Sequence, residues 1–239
     1  MSEKSELKPS EKFSDAQAVL STFKSLPVIG KSAGGLDIWG KRMTHGTRRM
    51  LLIGGVHGNE TEGVAFTRDF FAEFFHSNAT PLPVDLFFIP VMNPDGALAC
   101  SRHNANGVDL NRNMPTNDWK KNEKGEKYYS GEMPASENET KILIQVLEAF
   151  KPESIISLHS WKPMINVNGP AHSLANKIHE KLNYEITEDI GYPTPGSLGT
   201  YAGWERKIPT ITLEIERGLP LDVVYRTCRD GVLNGILTQ

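Results

Sequence analysis

The sequence predicts an α/β fold with a mixed, mostly parallel β-sheet flanked by helices on both faces. Apolar runs typical of buried strands occur at residues 48–55, 84–96, 153–161 and 208–215, and segments of helical periodicity separate them. Buried strands that alternate with helices form mostly parallel sheets whose two faces are both covered. The length of 239 residues suits one such domain.

The segments before and between the first strands carry their own signals. Residues 1–12 are polar and form a predicted N-terminal arm, and residues 13–239 form the predicted single domain. Residues 13–24 place apolar side chains at helical spacing, whereas residues 36–43 alternate as in a strand. Residues 60–75 return to helical periodicity, with valine and phenylalanine side chains available for a core face.

Three further helices are predicted in the second half of the chain. Ser136 and Glu139 have the spacing of a capping box, which predicts a helix that has Ser136 as its N-cap. Helical spacing predicts two more helices, over residues 171–182 and 220–237. With the strands, these helices complete the alternating pattern along the chain.

Composition and charge exclude several classes of protein. Hydrophobic residues make up 38% of the chain and the mean hydropathy is −0.37, values typical of a soluble globular protein. The formal net charge of −3 gives no basis for a nucleic-acid or membrane partner, and no apolar stretch reaches transmembrane length. The N-terminus lacks an apolar secretory signal and two cysteines make no disulfide framework, so a cytoplasmic location is expected. Composition leaves the oligomeric state open.

Polar side chains of metal-binding types follow three of the predicted strands. His57 and Glu60 come directly after the first buried strand, His159 ends the third, and Glu214 ends the fourth. Because ligands in such folds bind beyond the carboxyl ends of the strands, we expect these side chains to meet. A catalytic zinc ion takes three histidine or carboxylate ligands and keeps a fourth position for water. The pattern predicts one zinc ion held by His57, Glu60 and His159.

A second polar cluster, made of Arg102, Asn111 and Arg112, lies in the region 101–139. That region is too long for an ordinary connection, which indicates functional loops. An arginine fork matches a carboxylate through two hydrogen bonds, and a neighbouring asparagine amide adds a donor. The cluster predicts an anion-binding site, and a solvated loop is the alternative. A histidine and glutamate three positions apart are also common in ordinary turns, so the prediction of a zinc site depends on the two clusters occurring together.

With these features in place, the sequence resembles the zinc carboxypeptidases of the carboxypeptidase A type. The matching segments, in the family's order, are HGNE (57–60), NPDG (93–96), GVDLNRN (107–113), SLHS (157–160) and ITLEIERG (211–218). The resemblance implies a zinc metallocarboxypeptidase with a zinc carboxypeptidase-like fold. It also implies that His57, Glu60 and His159 are the zinc ligands of the catalytic site.

The resemblance implies roles for the residues that contact substrate. Arg102 matches the arginine that polarises the scissile carbonyl and stabilises its oxyanion. Asn111 and Arg112 match the pair that holds the terminal carboxylate of the substrate. The family also has a tyrosine that covers the substrate, and Tyr192 is the residue predicted for it, with Tyr201 as the alternative.

Glu214 matches the general base of the family. Such a residue takes a proton from the attacking water and then passes it to the leaving amine. Glu216 would point the same way along a strand and is a rival, and an ion pair with Arg217 is an alternative role for Glu214. The family's T-x-E pattern favours Glu214.

Within the family, the chain is most similar to the bacterial murein tripeptide amidases, with which it shares GYPTPGSLGTY (191–201). The resemblance implies hydrolysis of the bond between γ-D-glutamate and meso-diaminopimelate during cell-wall recycling, with a small murein peptide as partner. Diaminopimelate has a second amino–carboxylate head, so its pocket should be polar. Lys162, Asn166 and Asn168 are candidates for that pocket, and a short strand with polar faces is the alternative.

Three other functions stay open on the sequence. A general metallocarboxypeptidase would release ordinary C-terminal L-amino acids. Aspartoacylase-like enzymes, which deacylate small N-acyl amino acids, share the GGxHGNE and DLNR segments. They usually have a further C-terminal β domain, for which the chain leaves no room after residue 218. A binding module without chemistry is the third alternative, and the presence of every ligand position and Glu214 argues against it.

Overall fold

The computed structural model describes residues 8–76 and 79–238, and within them seven strands form one mixed sheet. A separate antiparallel hairpin is formed by β1 and β2. The strands are β1 (Val28–Lys31), β2 (Asp37–Trp39), β3 (Lys41–Thr44), β4 (Arg49–Ile53), β5 (Asp85–Ile89), β6 (Ser154–Trp161), β7 (Met164–Asn168), β8 (Glu185–Thr187) and β9 (Thr210–Glu216).

The large sheet has the strand order β3-β5-β4-β6-β9-β7-β8. The central strands β5, β4, β6 and β9 pair in parallel, whereas β3 and β7 run antiparallel to their neighbours β5 and β9. The expectation of a mixed, mostly parallel sheet is therefore confirmed. Its central parallel strands end at one edge, which is where the predicted polar residues lie.

Helices cover both faces of this sheet. They are α1 (Ala16–Ser21), α2 (Thr61–Phe74), α3 (Pro94–Ala99), α4 (Asn138–Phe150), α5 (His172–Leu182) and α6 (Leu221–Leu237). Side chains alternate along β4, so that Met50 and Leu52 join the core beneath α2, α5 and α6, whereas Leu51 and Ile53 join the core beneath α4. In the part of the chain described, no helix is both long and apolar enough to cross a bilayer.

Two local predictions differ from the structure. The strand expected over residues 36–43 is split at Gly40, whose N–H donates to the Pro27 carbonyl, and its halves β2 and β3 belong to different sheets. The capping box is wrong, because the N-cap of α4 is Glu137. The Ser136 hydroxyl donates to Glu137 Oε1 at 2.7 Å and accepts from Asn113, and no side chain caps α4.

An ion pair at the edge of the sheet links β3 to β5. Arg42 Nε and Nη2 donate to the two carboxylate oxygens of Asp85 at 2.8 and 2.6 Å. These hydrogen bonds hold the pKa of Asp85 below its usual value, against the burial that would raise it. A carboxyl group with a lowered folded-state pKa stabilises the fold above its unfolded-state pKa of about 4, and the contribution is lost as pH falls through the folded-state value.

We expect Asp85→Asn to lower the free energy of unfolding by about 1–2 kcal/mol at pH 7. The figure is modest because the Arg42 side chain is 52% exposed. In urea unfolding, the difference from the parent should shrink as pH falls from about 5 to 2. Asp37→Asn, which removes an exposed pair with Lys31, should cost less than about 0.5 kcal/mol. Equal losses in the two variants would contradict the role of Asp85.

Candidate metal centre

The loop between β4 and α2 carries His57 and Glu60 past the carboxyl edge of the sheet. Glu60 is the N-cap residue of α2, and both side chains are buried. The loop packs so closely on α3 that a Cβ on Gly58 would lie 1.8 Å from the Gly96 carbonyl carbon. Only glycine fits at such a backbone approach, so the HGNE and NPDG segments hold each other in place.

His159 and Glu214 lie side by side at the ends of β6 and β9. The two residues are direct partners in the parallel ladder between these strands. Side chains at paired positions of neighbouring strands point to the same face of a sheet. The strand register therefore brings His159 and Glu214 to one site, as the sequence predicted.

One ligand atom from each of His57, Glu60 and His159 comes within 4.8 Å of the others. The Nδ1 atoms of the two histidines are 3.2 Å apart, and each lies 2.9 Å from a carboxylate oxygen of Glu60. Two imidazole nitrogens and a carboxylate that converge in a buried place form a donor set suited to zinc. In the described parts of the chain, these three residues are the group of histidine, cysteine and acidic side chains close enough to share an ion.

The outer ring nitrogens of both histidines have buried partners. His57 Nε2 lies 2.9 Å from Asp109 Oδ1, and His159 Nε2 lies 3.1 Å from Ser157 Oγ. Such partners fix the orientation of a metal-binding imidazole and direct its inner nitrogen at the ion. The contacts of His57 with Asp109 and of His159 with Ser157 therefore fit a metal centre, as do the three converging ligand atoms.

Asp109 was not predicted from the sequence as a site residue. It is fully buried, and it bridges His57 to Arg102, whose Nε donates to Asp109 Oδ2 at 2.8 Å. Burial alone would raise the pKa of Asp109, but Arg102 and His57 outweigh it and hold the pKa below its usual value. The signal available in the sequence was its place in the DLNR segment, two residues before Asn111.

Glu60 and Glu214 have opposite electrostatic environments. Burial opposes ionisation of Glu60, but the charge of His57 and the hydrogen bond with His159 hold its pKa well below the usual range. Burial instead raises the pKa of Glu214 to about 7. Glu214 Oε2 is buried and has no hydrogen-bond partner among the residues described. Its rival Glu216 is exposed and does not line the cavity.

Asn111 and Arg112 line the same cavity as the metal-binding triad. The Asn111 Oδ1 atom accepts from the Leu198 N–H at 2.9 Å, which leaves its amide nitrogen available to a ligand. Arg112 is buried, and its guanidinium group lies 5.1 Å from the ring of Tyr128 and 6.0 Å from that of Tyr192. Both distances are in the range of cation–π attraction, which restrains the guanidinium group together with the hydrogen bond that Nη1 donates to the Asn111 carbonyl at 2.6 Å.

The two candidate tyrosines have different positions. Tyr192 lines the cavity and stacks on Tyr128 with ring centres 6.0 Å apart, whereas Tyr201 is buried in the hydrophobic core. Tyr128 was not singled out from the sequence, because its Lys-rich surroundings are typical of a solvated loop. Trp161 closes this aromatic group with an edge contact to Tyr192.

These residues surround a cavity of about 310 Å³. Asn166 and Asn168 contribute to its polar wall, together with Ser197 and Thr212. Lys162 does not line the cavity, and its ammonium group lies instead over the ring of Trp161 at 5.4 Å. The structure thus brings every predicted catalytic, metal-binding and substrate-binding residue to one cavity, but only two of the three candidates for the polar pocket.

A mostly parallel sheet with a buried His-Glu-His cluster at its carboxyl edge defines a class, the α/β metallohydrolases. The chain belongs to the zinc carboxypeptidase family (Peptidase_M14), whose model matches residues 13–215. The predictions of a zinc metallopeptidase and of zinc as its metal are confirmed by this membership and by the triad of possible ligands.

Within the family, the chain is similar to two proteins named murein peptide amidase A. Murein peptide amidase A of Vibrio campbellii is 34% identical over 182 residues, which cover 70% of this chain and 69% of that protein. Murein peptide amidase A of Escherichia coli K12 is 31% identical over 163 residues, which cover 63% of this chain and 64% of that protein. The chain therefore spans just under two thirds of the length of the E. coli relative it matches.

Solved structures show the same fold. The crystal structure of murein-tripeptide amidase MpaA from Escherichia coli O157 matches this chain with a TM-score of 0.73 and 24% identity. The match covers 95% of this chain and 98% of the MpaA chain. Carboxypeptidase A from Helicoverpa armigera also has a TM-score of 0.73, at 16% identity, over 95% of this chain and 72% of that one. Both neighbours confirm the zinc carboxypeptidase-like fold.

Proposed function

We propose that the protein is a murein tripeptide amidase, which hydrolyses the bond between γ-D-glutamate and meso-diaminopimelate. The observation that carries the proposal is the polar cavity, which Asn111 and Arg112, the predicted carboxylate-binding pair, line together with the metal-binding triad. A digestive type of carboxypeptidase specific for apolar residues would need a hydrophobic pocket, whereas Asn166 and Asn168 line this cavity. The similarity to relatives named murein peptide amidase A supports a murein peptide as the substrate.

In the proposed mechanism, His57, Glu60 and His159 hold the zinc ion. When bound, zinc supplies Lewis-acid polarisation of the scissile carbonyl and makes a nearby water molecule more acidic. The Asn111 amide and the Arg112 guanidinium group bind the carboxylate next to the scissile bond, which positions the substrate. An internal amide has no free carboxylate to offer, so this pair favours cleavage at the end of a chain.

Glu214 moves the proton in this mechanism. Its unpartnered Oε2 accepts a proton as the water oxygen attacks the amide carbon, and Glu214 then delivers that proton to the leaving nitrogen as the C–N bond breaks. Arg102 donates to the carbonyl oxygen as negative charge develops there. Tyr192 covers the bound peptide from the cavity wall.

The proposal includes one catalytic domain over residues 13–239 and a cytoplasmic role in peptidoglycan recycling. Both cysteines, Cys100 and Cys228, are free thiols, as is usual in a reducing compartment. Residues 8–12 of the predicted arm pack against the domain through hydrogen bonds of Ser10 and Glu11.

The proposed substrate is tested by mass spectrometry of digests of L-Ala-γ-D-Glu-meso-diaminopimelate. We expect free diaminopimelate as a product, and we expect a chelator to prevent its release. The same tripeptide with its terminal carboxylate converted to an amide should be cut about 100-fold more slowly, because Asn111 and Arg112 lose their ligand.

Parallel assays separate the alternatives. Faster hydrolysis of blocked L-dipeptides than of the tripeptide would favour a general carboxypeptidase. Turnover of N-acetylaspartate with an intact tripeptide would favour an aspartoacylase-like deacylase. Absence of turnover of any of these substrates by the zinc-loaded protein would favour a binding module.

A further inference from the structure

Five cationic side chains line the cavity, against two carboxylates, Glu60 and Glu214, in the part of the chain described. The cations are Lys8, Arg102, Arg112, Lys127 and Arg217. A chain with a net charge of −3 thus concentrates positive charge at one place. Such a field favours a substrate with several negative charges.

Three of these cations are engaged elsewhere or have a proposed role. Arg102 is bound to Asp109 at 2.8 Å, and Arg112, which lies 5.1 and 6.0 Å from the rings of Tyr128 and Tyr192, has the proposed role of binding the terminal carboxylate. Lys127 lies 5.0 Å from the centre of the Tyr128 ring. Lys8 and Arg217 remain without an explanation in the proposed mechanism.

Arg217 directly follows β9, three residues beyond Glu214. Its Nη2 atom lies 3.2 Å from Glu60 Oε1, so the guanidinium group reaches the edge of the metal-binding triad. Its Nε atom is buried and finds no acceptor among residues 8–76 and 79–238. Nε itself is out of reach of a ligand, but the side chain is 23% exposed and lines the cavity, so a ligand oxygen can contact the guanidinium group there.

The N-terminal segment at Lys8 and Pro9 packs against Gly218, the residue after Arg217. A Cβ on Gly218 would lie 2.6 Å from Lys8 Cβ and 3.2 Å from the Pro9 carbonyl oxygen, so this close approach requires glycine. The Lys8 ammonium group has no ion-pair partner within the described ranges. Lys8 and Arg217 therefore both line the cavity, and Lys8 packs against the residue that follows Arg217.

A buried carboxylate holds this arrangement together. Glu62 is fully buried and accepts hydrogen bonds from Ser10 Oγ at 2.8 Å, Ser160 Oγ at 2.7 Å and Gly218 N at 2.7 Å. It thereby joins the N-terminal segment to the residue after His159 and to the residue after Arg217.

We propose that Lys8 and Arg217 form a second anion subsite, which binds a substrate carboxylate other than the one held by Asn111 and Arg112. The inference rests on the proposed function and deepens it. In the murein tripeptide a γ-linked glutamate keeps its α-carboxylate free, and diaminopimelate carries a further carboxylate on its side chain. An ordinary C-terminal peptide need have neither, so the subsite would select the murein substrate.

The test compares zinc-saturated parent and variants on three substrates. These are the tripeptide, an analogue with the glutamyl α-carboxylate as an amide, and an analogue with lysine in place of diaminopimelate. On the tripeptide, Arg217→Gln should lower kcat/KM by about 10–100-fold, mainly through KM. Lys8→Gln should lower it about 2–5-fold, because Lys8 is exposed.

One of the two analogues lacks the carboxylate that the subsite binds. With that analogue, Arg217→Gln and the parent should have the same kcat/KM, so the result identifies the bound carboxylate. Arg217→Lys, which keeps the charge, should recover part of the loss. Lys12→Gln, on the same N-terminal segment but outside the cavity, and the exposed Arg226→Gln should match the parent.

Calorimetric binding of the tripeptide to zinc-loaded Glu214→Gln, with and without Arg217→Gln, gives a second readout that does not need turnover. If the parent cleaves the tripeptide but Arg217→Gln slows all three substrates equally, or none, the subsite is wrong and the proposed function stands. If the parent leaves the tripeptide intact, the proposed function is wrong, and the inference fails with it.

Discussion

Glu214→Gln is expected to lower kcat/KM on the murein tripeptide by about 10²–10⁴-fold, the range of general acid–base catalysis. Glutamine keeps the shape of the side chain but cannot take the proton of the attacking water. Zinc content should stay at the parent level, because the carboxylate of Glu214 is not part of the triad of possible ligands. Steady-state kinetics and metal analysis of the same preparation measure both quantities.

The matched control is Glu216→Gln. Glu216 lies on the same strand two residues later, but it is exposed and outside the cavity. Its variant should therefore keep the activity of the parent. If Glu214→Gln retained parental kcat/KM, or if Glu216→Gln lost as much, the assignment of the general base would be wrong.

The free energy of unfolding of Glu214→Gln should show that its loss of activity does not come from a folding defect. Glu214 Oε2 is buried without a partner, and burial raises the pKa of this carboxyl group to about 7. An uncompensated buried carboxylate costs free energy in the folded state. We therefore expect the free energy of unfolding of Glu214→Gln at pH 8 to be no lower than that of the parent.

The central sheet and the metal-binding triad could be predicted from the sequence because both depend on local patterns. Apolar runs identify the strands, and parallel strands bring their carboxyl ends to one edge. His57 and Glu60 follow one such run and His159 lies near the end of another, so their meeting needed no knowledge of side-chain packing. The register of β6 and β9 then places His159 beside Glu214.

The residues that were missed depend on contacts between distant parts of the chain. Glu62 and Gly218 are 156 residues apart, and Ser10 and Glu62 are 52 residues apart. No periodicity connects such pairs, so burial of Glu62 could not be inferred. Asp109 was missed for the same reason, since its partner His57 lies 52 residues away.

A local sequence pattern also gave a wrong prediction where tertiary contacts competed with it, at the capping box of α4. Ser136 has the spacing of an N-cap, but its hydroxyl is used by Glu137 and Asn113. Glu139, the other half of the predicted capping box, instead accepts from the Ala33 N–H at 3.0 Å and from Asn104. A capping box contributes only about 1 kcal/mol, which buried hydrogen bonds of this kind can outweigh.

The second large effect is expected at the metal itself, where His57→Ala should abolish stoichiometric zinc binding. The Nδ1 atoms of His57 and His159 lie 3.2 Å apart and face the same carboxylate, so removal of one ring leaves two of the three ligands. Two ligands are too few for a catalytic zinc site. Competition with a chromogenic chelator measures the affinity, and thermal unfolding with added zinc gives an independent readout.

A graded series of variants makes the test specific. Asp109→Asn keeps the three ligands but removes the charge that orients His57, so its affinity should fall by about 10–100-fold. Glu62→Gln should keep the metal, because its carboxylate faces Ser10, Ser160 and Gly218 rather than the triad.

His45→Ala, which removes an exposed histidine, controls for loss of an imidazole as such. Zinc should raise the unfolding temperature of the parent, of Glu62→Gln and of His45→Ala, but not that of His57→Ala, because a ligand stabilises only a fold that binds it. The expected order of zinc affinities depends on whether a residue is a zinc ligand, contacts a ligand, or does neither. Parental zinc affinity in His57→Ala, or an equal loss in His45→Ala, would mean that these three residues do not hold the metal.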